Sequence, residues 1–472
     1  MVKTVRFTNC TVYTPWDIAD SLVFSDRVIQ VGGGLRGDVE VDLHGALVVP
    51  GFVDAHAHLR STAFKLATLD LQGKSREEVV VYLRHASPTL NGWVYARGWD
   101  ESFWGGGDYL TPDEIESEHP VLAVRVDGHM GVLNPKGVSA ARSMGIEPSS
   151  SGVVRENELA RLESIITEGF DASSWLEKAQ EYCLEKGVTA VCDIGKPENV
   201  EYYLQNPSKI RIVYSPIGLT GRGWRTGEEL APNLYVGFTK LFADGSIGAR
   251  TAAVSSGYAD GEGEPRLFYT DSQLEATYRE SISSGMEVMT HAIGDLAVAQ
   301  VLRVSKRFSG RRLRVEHNEL VIPEELEADE VGLVCSMQPN FLQWSAPGGL
   351  YERRLGSYVI SANNHFRCLL ERGVRLAFGS DSMPLDPAYG ISLALNPPHP
   401  KQKLSLQEAI TCYTYNSAYA NHLETRLGSI EVGKAADLVV LETSPKLKVT
   451  QTYLGGVRVP SSFRRKQRES IG

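Results

Sequence analysis

The chain has 472 residues, 42% of them apolar and 22% charged, the proportions of a globular protein with ample core rather than of a disordered one. A formal net charge of -10 argues against a dedicated binder of nucleic acid or anionic membrane, whose affinity comes from clustered Lys and Arg; the basic tract Arg464–Arg468 reads as a solvated tail. No run of about 18 apolar residues occurs, so no membrane span is expected.

In chain order, Lys3–Thr8, Leu22–Phe24, Arg27–Val31, Glu40–Leu43 and Ala46–Val49 predict short strands separated by Gly- and Asp-containing turns. The first of them alternates charge and apolarity, unlike the apolar core of a signal peptide. The next strand, Phe52–Ala57, runs into His56-Ala57-His58. Side chains two apart on a strand share a face, so both imidazoles can reach one metal. With 11 His in the chain, such a spacing arises by chance about 0.26 times, so its meaning depends on later strands.

From Gly51 the texture becomes strand then amphipathic helix, the alternation of βαβ units around a parallel sheet. The candidate strands are Phe52–Ala57, Val188–Ile194, Ile210–Pro216, Tyr235–Phe242, Met286–His291, Leu313–His317, Val331–Met337 and Val374–Gly379. Each is short and nearly continuously apolar, as strands covered on both faces are. This predicts an α/β chain: a (β/α)8 TIM-like barrel over 51–424, with an insertion lobe at about 73–170 after the first barrel strand. The lobe carries its own strands, Trp93–Arg97 and Val121–Val126. Beyond the barrel, Asp437–Glu442, Val449–Leu454 and Val457–Val459 return to the style of the start, so 1–50 and 425–472 are expected to form one discontinuous β-sandwich domain. Cys10, Cys183, Cys192, Cys335, Cys368 and Cys412 are scattered without a C-x-x-C pair, which fits a reducing cytoplasm.

Barrels of this kind carry catalytic groups at the C-terminal ends of their strands. The first strand ends in His56 and His58, the fourth near Lys240, the fifth at His291, the sixth at His317 and the eighth at Asp381. The chain resembles the amidohydrolase superfamily of metal-dependent hydrolases, in particular the amidohydrolase-3 branch called YtcJ-like, which includes an N-substituted formamide deformylase. The resemblance covers nearly the whole length: the split β domain, Val49–His58, the Lys240 tract with Asp244-Gly245-Ser246, and the closing Leu427–Leu438.

The resemblance implies a binuclear Zn²⁺ centre, His56 and His58 on one ion and His291 and His317 on the other, neutral imidazole being a favoured zinc ligand. It also implies a carbamate on Lys240 bridging the two ions. Asp381 is expected to touch the first metal and the attacking water, acting as general base and then acid while a metal-bridged hydroxide hydrolyses a C–N bond in a small amide-like molecule. In the lobe, Arg97-Gly98-Trp99-Asp100 and Arg125-Val126-Asp127-Gly128-His129, with Asn134 after them, resemble the same branch.

His129 is a candidate for gripping substrate or oxyanion. Trp99, Phe103 and Trp104 are candidates for an apolar wall, and Asp100 and Gln338 for substrate contacts. Asp244 reads equally as a turn cap or as a support for a ligand. The alternatives on the same fold are a mononuclear deaminase, an ester or carbamate hydrolase, and a non-catalytic ligand-binding relative. A deaminase commonly has a Glu near the strand-five histidine, where this chain has Ala292-Ile293-Gly294-Asp295. A binding protein would show a broken ligand set, and none is broken. The acyl group and amine are not legible in the sequence, and the oligomeric state is open, a homodimer included.

Overall fold

The computed structural model describes residues 3–14, 17–101, 104, 109–125, 130–169, 172–261, 263, 265–321, 332–357 and 362–460. Two compact units divide the chain, one built from 1–59 and 180–472 and the other from 60–179. Among the described residues no helix is long and apolar enough to cross a membrane, and all six cysteines are free thiols.

In the first unit the two chain ends share one eight-stranded sheet. Its path runs Val457–Arg458, Lys448–Leu454, Leu438–Glu442, Val39–Pro50, Val5–Tyr13, Leu22–Phe24, Val28–Val31, with Ile18–Ala19 paired beside Val5–Tyr13. Phe7, Phe24 and Tyr453 meet edge to face in its core, with centroids 4.8 to 5.6 Å apart. The expected separate strands Glu40–Leu43 and Ala46–Val49 are one, Val39–Pro50. His44 and Gly45 adopt φ of +51° and +84°, and the pairing register shifts between Thr8 and Cys10, so the turn signal becomes a bulge instead of a break.

The remaining strands of this unit form two five-stranded sheets. One runs Glu229–Ala231, Leu234–Val236, Arg211–Pro216, Val188–Gly195, Phe52–Ala57, parallel except for its first strand. The other runs Thr239–Phe242, Val288–Ala292, Arg314–His317, Val334–Met337, Arg375–Phe378, parallel throughout. Phe52–Ala57 is buried along its whole length, which explains its unbroken apolar character.

The expected strand Tyr235–Phe242 is split, and the split is a handover between the sheets. Gly237 still donates to Tyr214 O at 2.8 Å. Phe238 then donates to the Ser215 hydroxyl at 3.0 Å, and Thr239 to the O of Glu287, just before the strand Val288–Ala292, at 2.9 Å. A Cβ on Gly237 would lie 2.1 Å from Ser215 Oγ, so the crossing requires glycine. The other edges also meet. Asp381 N donates to His56 O at 2.7 Å, and Asp54 takes the Ser380 hydroxyl at 2.5 Å and its N–H at 3.0 Å.

The 60–179 unit holds a five-stranded mixed sheet, ordered Val153–Arg155, Met130–Leu133, Val121–Arg125, Val94–Trp99, Leu69–Asp70. Alternate side chains feed two cores. Val94, Ala96, Val121 and Ala123 pack with Val79 and Leu83 of the helix Arg76–His85, while Tyr95, Leu122 and Val124 pack with Leu159, Leu162 and Ile166 of the helix Glu156–Ile166. The Ser75–Glu78 capping box starts the first of these helices.

Candidate metal centre

His56 and His58 come from the end of Phe52–Ala57, Lys240 from Thr239–Phe242, His291 from Val288–Ala292, His317 from Arg314–His317, and Asp381 from three residues past Arg375–Phe378. These residues converge. Ligand atoms of His56, His317 and Asp381 lie within 4.8 Å of one another. Asp381 Oδ1 is 3.0 Å from His58 Nε2 and 3.7 Å from His56 Nε2, and Lys240 Nζ is 3.5 Å from His56 Nε2. The His291 and His317 rings are 4.4 Å apart, and those of His317 and His56 4.8 Å.

Each ring has one nitrogen engaged by the scaffold, which selects the tautomer and the face presented. His56 Nδ1 meets Glu316 Oε2 at 2.5 Å, His58 Nδ1 meets Ile194 O at 3.0 Å, His317 Nδ1 meets Gln338 Oε1 at 2.8 Å, and His291 Nε2 meets Gly245 O at 2.9 Å. The donor set therefore fits a cation: the remaining nitrogens and the Asp381 carboxylate are what a borderline ion such as Zn²⁺ takes.

Protonation agrees with that fit. Burial, and then the Lys240 charge, hold His56 well below the usual imidazole range and bring His291 to about 4. Burial with its two histidine neighbours does the same to His317. These rings are neutral at pH 7, the form that ligates. His58 moves the other way: burial lowers it, but the Asp381 carboxylate more than offsets that. Burial pushes Asp381 up, and the His58 hydrogen bond, with the His58 and Lys240 cations nearby, brings it below the ordinary carboxylate value. Lys240, 1% exposed, is drawn down to about 8 by burial.

The strand ends carry strain. His317 and Asn318 have φ of +71° and +49°, and Asp381 and Ser382 of +50° and +58°, left-handed conformations that cost of order 1–3 kcal/mol each in non-glycine residues. Both pairs bend the chain off its strand at the point where it delivers a candidate ligand. Asp244 accepts from Ala253 N, Ile293 N and Gly294 N at 2.8 to 3.0 Å, tying the loop after Thr239–Phe242 to the turn after Val288–Ala292. His291 Nε2 lies 3.6 Å from its carboxylate.

Trp99 has no exposed surface, packs in the core of the 60–179 unit against Trp104 and donates its indole N–H to Ala123 O at 2.9 Å. Gln338 is 1% exposed and its amide oxygen meets His317 Nδ1, which orients that ring. Asp100 lies 3.8 Å from Arg125, which makes a paired contact to Glu101 at 2.8 and 2.9 Å. Asn134 caps the helix Pro135–Ser143. His129 and Phe103 lie outside the described residues.

Sequence reasoning passed over Glu316, Arg314 and the Asp54–Ser380 clip. The signal was available: Arg314-Val315-Glu316-His317 places two charges in a strand buried on both faces, where charges persist only when paired.

A family model described as the amidohydrolase family matches residues 39–460. Protein LONG AFTER FAR-RED 3 of Arabidopsis thaliana is 29% identical, over 97% of this chain and 91% of that protein. The N-substituted formamide deformylase of Arthrobacter pascens is 25% identical over 91% of each chain. The crystal structure of an uncharacterized metal-dependent hydrolase from Pyrococcus horikoshii OT3 superposes with a TM-score of 0.73 at 27% identity, covering 94% of this chain and 98% of that one.

Proposed function

The chain belongs to the amidohydrolase family, and from that premise we propose that it is a zinc-dependent hydrolase cleaving a C–N bond in a small amide-like substrate. The observation that carries the reading is the meeting of His56, His58, Lys240, His291, His317 and Asp381, with one nitrogen of every ring engaged by the scaffold and the Nε2 atoms of His56 and His58 turned toward Asp381. In this reading the two sheets close into the family's TIM-like barrel, and the terminal strands make a β-sandwich beside it.

His56, His58 and Asp381 would hold one Zn²⁺ and His291 and His317 a second. A divalent ion in such a place acidifies water and polarises a carbonyl oxygen. Lys240 supports the two-metal version. A buried amine with a pKa near 8 keeps about a tenth of its population neutral at pH 7, far more than an exposed lysine does, and that lone pair would add to CO2 with loss of one proton to give a carbamate, an anionic oxygen donor for a metal.

Asp381 receives a proton from the attacking water and delivers it to the leaving nitrogen. Its carboxylate is ionised at neutral pH and held by His58, so the acceptor is in the right state and place before substrate arrives. The test is elemental analysis together with a panel of N-formyl, N-acyl and cyclic amides, assayed on metal-loaded protein with bicarbonate. About two Zn per chain and turnover of one amide class are expected; an active preparation holding one metal and indifferent to Lys240→Ala would sink the binuclear reading.

A further inference from the structure

Arg314 and Glu316 are two apart on one strand, face the same side and have no exposed surface. Arg314 donates Nε to Glu316 Oε1 at 2.8 Å and Nη2 to Glu316 Oε2 at 3.1 Å, a forked grip on the carboxylate. It reaches four other segments as well: Asn421 Oδ1 at 2.8 Å, Ser336 Oγ at 3.2 Å, Cys192 Sγ at 3.8 Å, and Ala55 O at 2.6 Å, the residue just before His56. Glu316 Oε2 then meets His56 Nδ1 at 2.5 Å. One guanidinium thus holds both the backbone beside His56 and the carboxylate that orients its ring.

A buried ion pair is a poor way to stabilise a core, because desolvation consumes most of its attraction and apolar residues of like volume do as well. What it does supply is a fixed charge at a chosen atom. The other candidate histidines meet neutral oxygens on their engaged nitrogens, those of Ile194, Gly245 and Gln338. Among the described residues His56 alone of the four has a carboxylate within 3 Å of that nitrogen. A carboxylate accepting the Nδ1 proton fixes the tautomer and makes Nε2 a stronger donor.

We propose that Glu316, clamped by Arg314, is a positioning residue that holds His56 as the Nδ1–H tautomer, aims its Nε2 at the centre and strengthens it as a metal ligand. This rests on the metal-centre reading above. Gln338 performs the same service for His317 with a neutral oxygen, so the two are expected to differ in strength.

The test is metal affinity of the full chain, measured by chelator competition with Zn²⁺ and by the visible spectrum of the Co²⁺ form, alongside thermal unfolding of the metal-free protein. Glu316→Gln should fold and bind metal about 10- to 100-fold more weakly with an altered Co²⁺ spectrum. Gln338→Leu should lose less. In a His56→Ala background the Glu316→Gln penalty should vanish, because the effect passes through that ring. Should Glu316→Gln not fold, Arg314→Lys and its combination with His56→Ala make the same comparison.

A folded Glu316→Gln protein with affinity within about twofold of the parent and an unchanged Co²⁺ spectrum overturns the proposal alone. A parent chain that binds no metal overturns the metal reading and the proposal with it.

Discussion

Lys240 shows how far one residue's surroundings set its chemistry. An exposed lysine titrates near about 10.4, so at pH 7 almost none of it is nucleophilic. Burial disfavours the ammonium and brings Lys240 to about 8, so about one amine in ten is neutral at pH 7 and most are above pH 8. Recovery of activity by protein stripped of CO2 and resupplied with metal, at fixed dissolved CO2, is therefore expected to rise about tenfold per pH unit to about pH 8 and then level; a flat profile below that would refute the carbamate. Lys240→Ala should lower bound zinc from about two to at most one per chain and activity by at least about 100-fold, with partial rescue by a small carboxylate. Asp381→Asn should reduce kcat by about 10²- to 10⁴-fold with KM little changed, and retained turnover would remove its role as proton acceptor.

Elements bring these residues together through a few close contacts. At the end of Arg375–Phe378 a Cβ on Gly379 would lie 2.4 Å from His56 N and 3.0 Å from Asp54 Oδ1, so the strand carrying Asp381 approaches the one carrying His56 only because nothing projects there. Gly379→Ala is expected to force these strands apart and to weaken metal binding as well as stability, read by chelator competition and urea unfolding. The helix Leu406–Tyr413 begins with a Ser405–Glu408 capping box, and Glu408 also receives both ends of the Arg367 fork at 2.7 and 2.8 Å. Ser405→Ala should cost about 1 kcal/mol. The Arg367 hydrogen bonds draw Glu408 from 4.5 to about 2, a depressed folded-state value. Its stabilising contribution is thus complete above about pH 5 and lost as pH falls toward 2, so the difference in urea midpoint between Glu408→Gln and the parent should shrink across that window.

For the whole molecule, the pairing of the two chain ends and the linkage of metal to folding make the largest predictions. Leu438–Glu442 pairs antiparallel with Val39–Pro50 and carries Lys448–Leu454 on its other edge, while Asp437 O accepts from Gly51 N at 2.7 Å, at the entrance to the first parallel strand. Removing 437–472 would bare the apolar edge Leu47–Pro50 and uncover the core packed beneath Leu438–Glu442, and the expected result is loss of soluble protein on expression. Metal removal acts through mass action. If the ion binds only the folded chain, free zinc at 100 times Kd adds about 2.7 kcal/mol, so melting should shift upward with zinc concentration and fall on chelation. A melting temperature indifferent to both would contradict a resident metal.

Adjacent residues carried much of this, for physical reasons. Strand periodicity is local, and Phe52–Ala57 and Leu22–Phe24 form over the very residues their apolar runs predict. Ligand chemistry is local too, since an imidazole pair, a lysine inside an apolar strand and an aspartate after a strand end are legible as residue types. The split at Gly237, the second nitrogen of each histidine and the inward turn of Trp99 were not legible. They depend on partners far along the chain: Ile194 is 136 residues from His58, and Glu316 is 260 from His56. The sequence by itself determined which residues can bind a metal, because that is a property of their side chains. Only the tertiary structure decided which atom each presents, because a hydrogen bond to a distant strand selects the tautomer and the angle of the ring.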